Sequence, residues 1–285
     1  MIYILLSICC SVIVSVLLKL ARRYQVDVFQ AITWNYSMAI LLSWIFLKPR
    51  FQNLGEAPVF SYLLLALLLP SLFVVLAVSV RLSGIVRTDI AQRLSLFIPI
   101  IASFFLIGET LTPLKGIGIA LGFTAIICSI PWQNRSESKK GSANAWIYLL
   151  LVFVGLGIID VLFRQMALLK AIPYSTSLFI VFVMAFVFSM IGLCYRVITK
   201  QTKFTLPHLF IGWVLGIVNF GNILFYLKAH KALANQPSTV FSAMNIGVIV
   251  AGALVGLIVF KEKLSLLNKV GLAIALIAII VMAYA

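Results

Sequence analysis

Asp160 and Arg164 stand four residues apart within a long apolar run, and Asp89 and Arg93 repeat that spacing. Four residues is about one helical turn, so each pair shares a helix face and its members can bond. A charge at the centre of a bilayer costs about 2.5–3.5 kcal/mol by insertion scales, so it faces a partner or a wet cavity. Two uses follow. Each pair can neutralise charge between helices, or Arg93 or Arg164 can meet an anionic group while the Asp holds it or carries a proton. Lys19 falls on Arg164 when the chain is shifted by 145. Lys19 also lies near a helix end, where its stem can snorkel to the headgroups.

Uncharged polar groups form a second set. Trp34 and Asn35 follow Thr33 in one apolar run, and Asn219 and Asn222 lie three apart in another. A shift of 153 brings Gln92 onto Asn245. Such side chains either bond across helices, for about 0.6–2 kcal/mol each, or orient a polar solute. Gln92 and Asn245 are the best sequence pair for a central site. Lys228, His230 and Lys231 close an apolar run and read as an interfacial group. Glu109 and Glu262 read as caps for the helices that follow them, because acids favour a helix N-terminus.

The elements that would position these groups are set by composition. The 285 residues are 63% hydrophobic and only 10% charged, against roughly a quarter charged in a soluble domain. Apolar runs fall near 2–20, 28–47, 59–80, 86–108, 112–130, 145–163, 175–198, 207–228, 236–260 and 264–284. Each is close to the roughly 20 residues that span a bilayer. None alternates with a period of two, so they read as helices and not barrel strands. The first run has no basic leader or small-residue cleavage site and reads as a helix, not a removed signal. Pro113, Pro207 and Pro237 stand at helix starts, where a missing N–H costs little. Pro70 and Pro99 lie inside runs and predict kinks.

The net charge of +15 comes from 22 Lys and Arg against 7 Asp and Glu. The basic residues lie mainly between apolar runs, which suits headgroup anchoring and not nucleic acid. Loop charges place both termini outside, and an even number of spans keeps them on one side. Cys9, Cys10, Cys128 and Cys194 form no CxxC pair and read as small buried hydrophobes. No metal or cofactor motif, Walker loop or nucleophile elbow is present. Gly118–Gly122, Gly212–Gly216 and Gly252–Gly256 are GxxxG pairs that read as close helix packing, within the bundle or in a dimer.

One polar stretch, PWQNRSESKKGSAN at 131–144, leaves five runs on each side. Under the 153 shift GETLTPLKGIGIAL overlays KEKLSLLNKVGLAI. Five is odd, so two similar halves must cross the membrane in opposite directions, the arrangement of many secondary transporters.

Residues 95–127, SLFIPIIASFFLIGETLTPLKGIGIALGFTAII, resemble the EamA type of the drug/metabolite transporter superfamily, as do residues 248–283, VIVAGALVGLIVFKEKLSLLNKVGLAIALIAIIVMA. Pro99, Glu109, Leu111, Thr112 and Gly118 carry the pattern in the first half. Glu262, Leu264, Ser265 and Gly271 carry it in the second, with Gly252 where the Pro would stand. The resemblance implies ten helices, two inverted repeats, a central cavity and both termini inside. It also implies transport of amino acids, metabolites, sugars or nucleotide conjugates.

The expectation is an all-α integral membrane protein of ten transmembrane helices in two inverted five-helix repeats, 1–130 and 145–285, joined by the linker 131–144. It is a multi-pass protein of the plasma membrane, the inner membrane of a bacterium, as monomer or homodimer. Its partners are a small-molecule substrate and the lipid bilayer. The function expected is gradient-driven or facilitative movement of a small polar metabolite, such as an amino acid or other carboxylate, by alternating access. A lipid-carrier flippase is the alternative. A membrane enzyme lacks a concentrated acid, base or metal cluster, and a non-transporting sensor or subunit does not call for two inverted halves.

Overall fold

The computed structural model describes residues 2–23, 26–51, 53–83, 88, 91–92, 94–105, 108, 110–129, 145–258 and 266–284. Ten α-helices are bounded among them: α1 (Ile2–Arg23), α2 (Val28–Leu42), α3 (Val59–Ser83), α4 (Phe97–Phe105), α5 (Pro113–Ser129), α6 (Ala145–Leu168), α7 (Tyr174–Ile198), α8 (Leu206–Ala232), α9 (Pro237–Ile258) and α10 (Leu266–Ala283). No strand occurs among the described residues. A helix satisfies its own backbone, which an apolar solvent demands. Stretches of α3, α6, α7, α8 and α9 are each long and apolar enough to cross a membrane.

Local signals explain the helix ends. Asp27 caps α2, its Oδ1 accepting from the N–H groups of Phe29 at 2.9 Å and Gln30 at 3.4 Å. Pro113 and Pro237 open α5 and α9, and Pro207 lies in the first turn of α8. The helix stops being continuous at Ser95–Leu96, just before Pro99. A proline clashes with the carbonyl four residues back, here Ser95, which accounts for the break. Pro70 stays inside α3.

The bundle has an apolar core that holds a few buried polar groups, and apolar side chains also cover its outside. Gln30, Thr33, Asn35, Arg164 and His230 are buried, while Phe60 is 75% and Ile198 79% exposed. The buried apolar core runs through Tyr36, Tyr62, Phe182 and Phe241. α2 and α8 pack closely along a glycine seam. A Cβ added at Gly212 would lie 2.6 Å from the Ala31 carbonyl oxygen, and one at Gly216 2.7 Å from that of Asn35. This GxxxG pair therefore brings two backbones together, as its spacing predicts.

Helix partners follow a pattern. α3 packs on α6 and α7, and α8 packs on α1 and α2. α1 meets α9, α4 meets α6, and α2–α7, α4–α9 and α5–α10 are direct pairs.

Candidate functional site

α6 and α8 run side by side, and a polar corner forms where they meet the start of α9. Asp160 projects from α6, partly buried, and its Oδ1 accepts from the Tyr226 hydroxyl of α8 at 3.0 Å. One turn along α8, His230 packs edge-on to Tyr226, with ring centroids 4.6 Å apart. On its other side stands Phe241 of α9, 4.7 Å away. His230 is 1% exposed, and neither ring nitrogen has a hydrogen-bond partner among the described residues. Arg164, one turn beyond Asp160, is also buried, and its Nη2 donates to the Ala234 carbonyl on the α8–α9 link at 3.4 Å. It stands within electrostatic reach of His230.

α9 supplies two more buried groups, the hydroxyls of Thr239 and Ser242, neither with a partner. Ser242 shares a helical stripe with Phe241 and Asn245. An unsatisfied buried polar group costs about 1–3 kcal/mol, and native structures hold few of them. The corner thus combines a carboxylate, a guanidinium, an imidazole and hydroxyls inside an apolar bundle. Those groups can bind an anionic moiety at Arg164 and His230 and a cationic or hydroxylic one at Asp160.

The remaining sequence candidates fall elsewhere. Asp160 and Arg164 share a face of α6, yet the carboxylate bonds across to Tyr226 instead of back to Arg164. Asn219 Nδ2 donates to Asn35 Oδ1 at 3.1 Å, just beyond the glycine seam of α2 and α8. Ser7 of α1 donates to Asn222 Oδ1 at 2.8 Å. These amides act as interhelical braces. Trp34 lies between Phe186 and Phe204 with a buried, unbonded Nε1. Asn245 Nδ2 donates to the Phe241 carbonyl of its own helix at 3.0 Å, and Gln92 is exposed. Asp89, Arg93, Glu109, Glu262 and the Lys19 side chain lie outside the described residues. No group of three His, Cys, Asp or Glu among the described residues could hold a metal.

His230 is the residue that sequence reasoning misplaced. Its neighbours Lys228 and Lys231 suggested the interface, but α9 covers it. Tyr226 was missed outright. The only signal for either was their spacing of four, with Tyr226 and His230 on one face of α8.

A second polar cluster joins the α1–α2 link to the α7–α8 link. Asp27 accepts from Thr202 Oγ1 at 2.5 Å and pairs with Arg196 at 3.6 Å. Gln30, fully buried, donates to Thr202 Oγ1 and to the Lys203 carbonyl at 2.8 Å. Burial alone would raise the Asp27 carboxyl. The Thr202 hydroxyl, the Arg196 guanidinium and the two backbone N–H groups outweigh it and hold the carboxyl below its ordinary range.

No family model matches the chain. An uncharacterized protein of Haemophilus influenzae is 42% identical over 287 residues, which cover 98% of this chain and 96% of that protein. The chain therefore belongs to one family with that protein. A crystal structure of another protein superposes with a TM-score of 0.72 at 14% identity, covering 99% of this chain and 98% of that one. That likeness concerns the fold alone.

Proposed function

We propose that this protein is a secondary transporter that moves a small polar metabolite, a carboxylate such as an amino acid, across a membrane by alternating access. The observation that carries the reading is the Asp160–Tyr226–His230–Arg164 corner. Charged and polar groups in an apolar bundle are costly unless a protein partner, a solute or a wet path meets them, and His230 has no hydrogen-bond partner among the described residues. Arg164 and His230 present donors to a carboxylate, and charge-assisted contacts of that kind are about twice as strong as neutral ones.

We propose further that all ten helices span the bilayer as two inverted repeats. Exchanging each helix for the one five places on maps α3–α6 onto α8–α1, α3–α7 onto α8–α2 and α1–α9 onto α6–α4. It returns α2–α7, α4–α9 and α5–α10 to themselves. Such an exchange is what two halves trading inward and outward shapes require. The motifs at 95–127 and 248–283 support placing the chain with the EamA-type carriers. The bacterial relative fits an inner-membrane location.

A thermal-shift screen of the detergent-purified protein tests the binding half of this reading, because a ligand selective for the folded state raises the melting temperature. Amino acids and other carboxylates are the expected hits, and Arg164→Gln with His230→Phe abolishes the shift. Hits confined to uncharged sugars, or a shift untouched in the double variant, overturn the assignment of this corner.

A further inference from the structure

Two clefts, of about 410 and 420 Å³, adjoin around the C-terminal end of α6 and share Leu168, Leu169 and Lys170. The first lies between α3 and α6, and its lining is mixed. Ser61 in the first turn of α3 and the exposed Gln165 and Lys170 supply polar groups. One turn further along each helix, the buried Leu65 and Leu162 line it as well. The second cleft lies under Tyr174 and Lys231, whose Nζ stands 5.4 Å from the Tyr174 ring centroid.

Lys170 lines both clefts, and Lys231 lines the second. Lys170 and Lys231 are exposed; among the described residues Lys170 has no hydrogen-bond or ion-pair partner, and Lys231 stands over the Tyr174 ring. Lys228 over the Tyr3 ring, at 5.8 Å, adds to the positive charge at this end of the bundle. Lysines and tyrosines at a helix end mark the level of the headgroups.

We propose that this double cleft binds one anionic phospholipid. The headgroup phosphate sits between Lys170 and Lys231 with Gln165 and Ser61 as further donors, and an acyl chain descends along Leu65 and Leu162. A soluble anion would use the lysines but leave the leucines uncovered. A zwitterionic lipid would bring its own ammonium against both lysines. The mixed polar and leucine lining and the two lysines together fit an anionic amphiphile. The proposal rests on the bilayer setting of α3 and α6 and stands whether or not the chain transports.

Native mass spectrometry of the detergent-purified protein tests it, with phosphatidylglycerol, phosphatidylethanolamine and glycerol phosphate as probes. A basic residue near an anionic lipid surface contributes roughly 1 kcal/mol, about fivefold in affinity. Phosphatidylglycerol should therefore be retained well above phosphatidylethanolamine. Lys170→Ala should weaken it about fivefold, and Lys170→Ala with Lys231→Ala should erase the preference. Leu162→Gln should weaken phosphatidylglycerol while leaving glycerol phosphate unchanged. Equal retention of the two lipids, or a preference that survives the double lysine variant, overturns the site. So does full displacement of phosphatidylglycerol by equimolar glycerol phosphate, because the acyl chain would then contribute nothing.

Discussion

At the α1–α2 link, both oxygens of Asp27 are bonded, and the buried Gln30 amide is held by Thr202 and Lys203. At the α6–α8–α9 corner, His230 is as deeply buried yet has neither nitrogen bonded, and the hydroxyls of Thr239 and Ser242 are left likewise. The first cluster is a finished brace between two links. The second keeps donors and acceptors inside the bundle in spite of their cost. A satisfied polar network stabilises the native arrangement, whereas a partly satisfied one carries a penalty that function must justify. Substitutions in the two regions should therefore change stability with opposite signs.

The largest effect belongs to the seam beneath the brace. Gly216→Leu should leave little folded protein by size-exclusion chromatography, because its Cβ alone would sit 2.7 Å from the Asn35 carbonyl oxygen. Next comes the brace. Asp27→Ala removes the α2 cap and the Thr202 bond, and should lower stability by about 2–3 kcal/mol, one cap plus one charged hydrogen bond. Thermal denaturation in detergent would show it as a lower melting temperature.

His230→Phe should do the reverse. Exchanging an unbonded buried polar group for an apolar one is close to neutral or stabilising. Its melting temperature should match or exceed that of the parent, while the ligand-induced shift disappears. A loss as large as that of Asp27→Ala would erase the contrast between the regions. The smallest effect is the pH response. The folded Asp27 carboxyl titrates below the ordinary value of about 3.9. Its contribution is thus complete above that value and lost as pH falls through the folded one. The gap in melting temperature between the parent and Asp27→Asn should hold near pH 6 and close below about pH 4.

Much of the helical layout was legible in the sequence. The apolar runs at 59–80, 207–228 and 236–260 correspond to α3, α8 and α9 within a few residues. The break before Pro99 and the Gly212–Gly216 seam followed from local rules of backbone geometry. The site was legible only in part. Asp160 and Arg164 were visible as charges in an apolar run, but the turn spacing suggested that they bond to each other. Tyr226 competes for the carboxylate from another helix, and no spacing within α6 reveals that. His230 reads as interfacial from its own neighbours because its burial comes from α9. Asn35 and Asn219 lie far apart in sequence, and only the glycine seam brings their amides together.

The proposed function turns on transport through the Asp160 corner. Counterflow in proteoliposomes with a panel of radiolabelled amino acids and dicarboxylates tests it most directly, with Asp160→Asn reconstituted at equal density beside the parent. The parent should exchange at least one member of the panel. In the variant that rate should fall by at least about tenfold, in line with about 1.5–3 kcal/mol for a hydrogen bond to a charged group. No exchange of any member by the parent, or exchange by Asp160→Asn at the parent's rate, would contradict it.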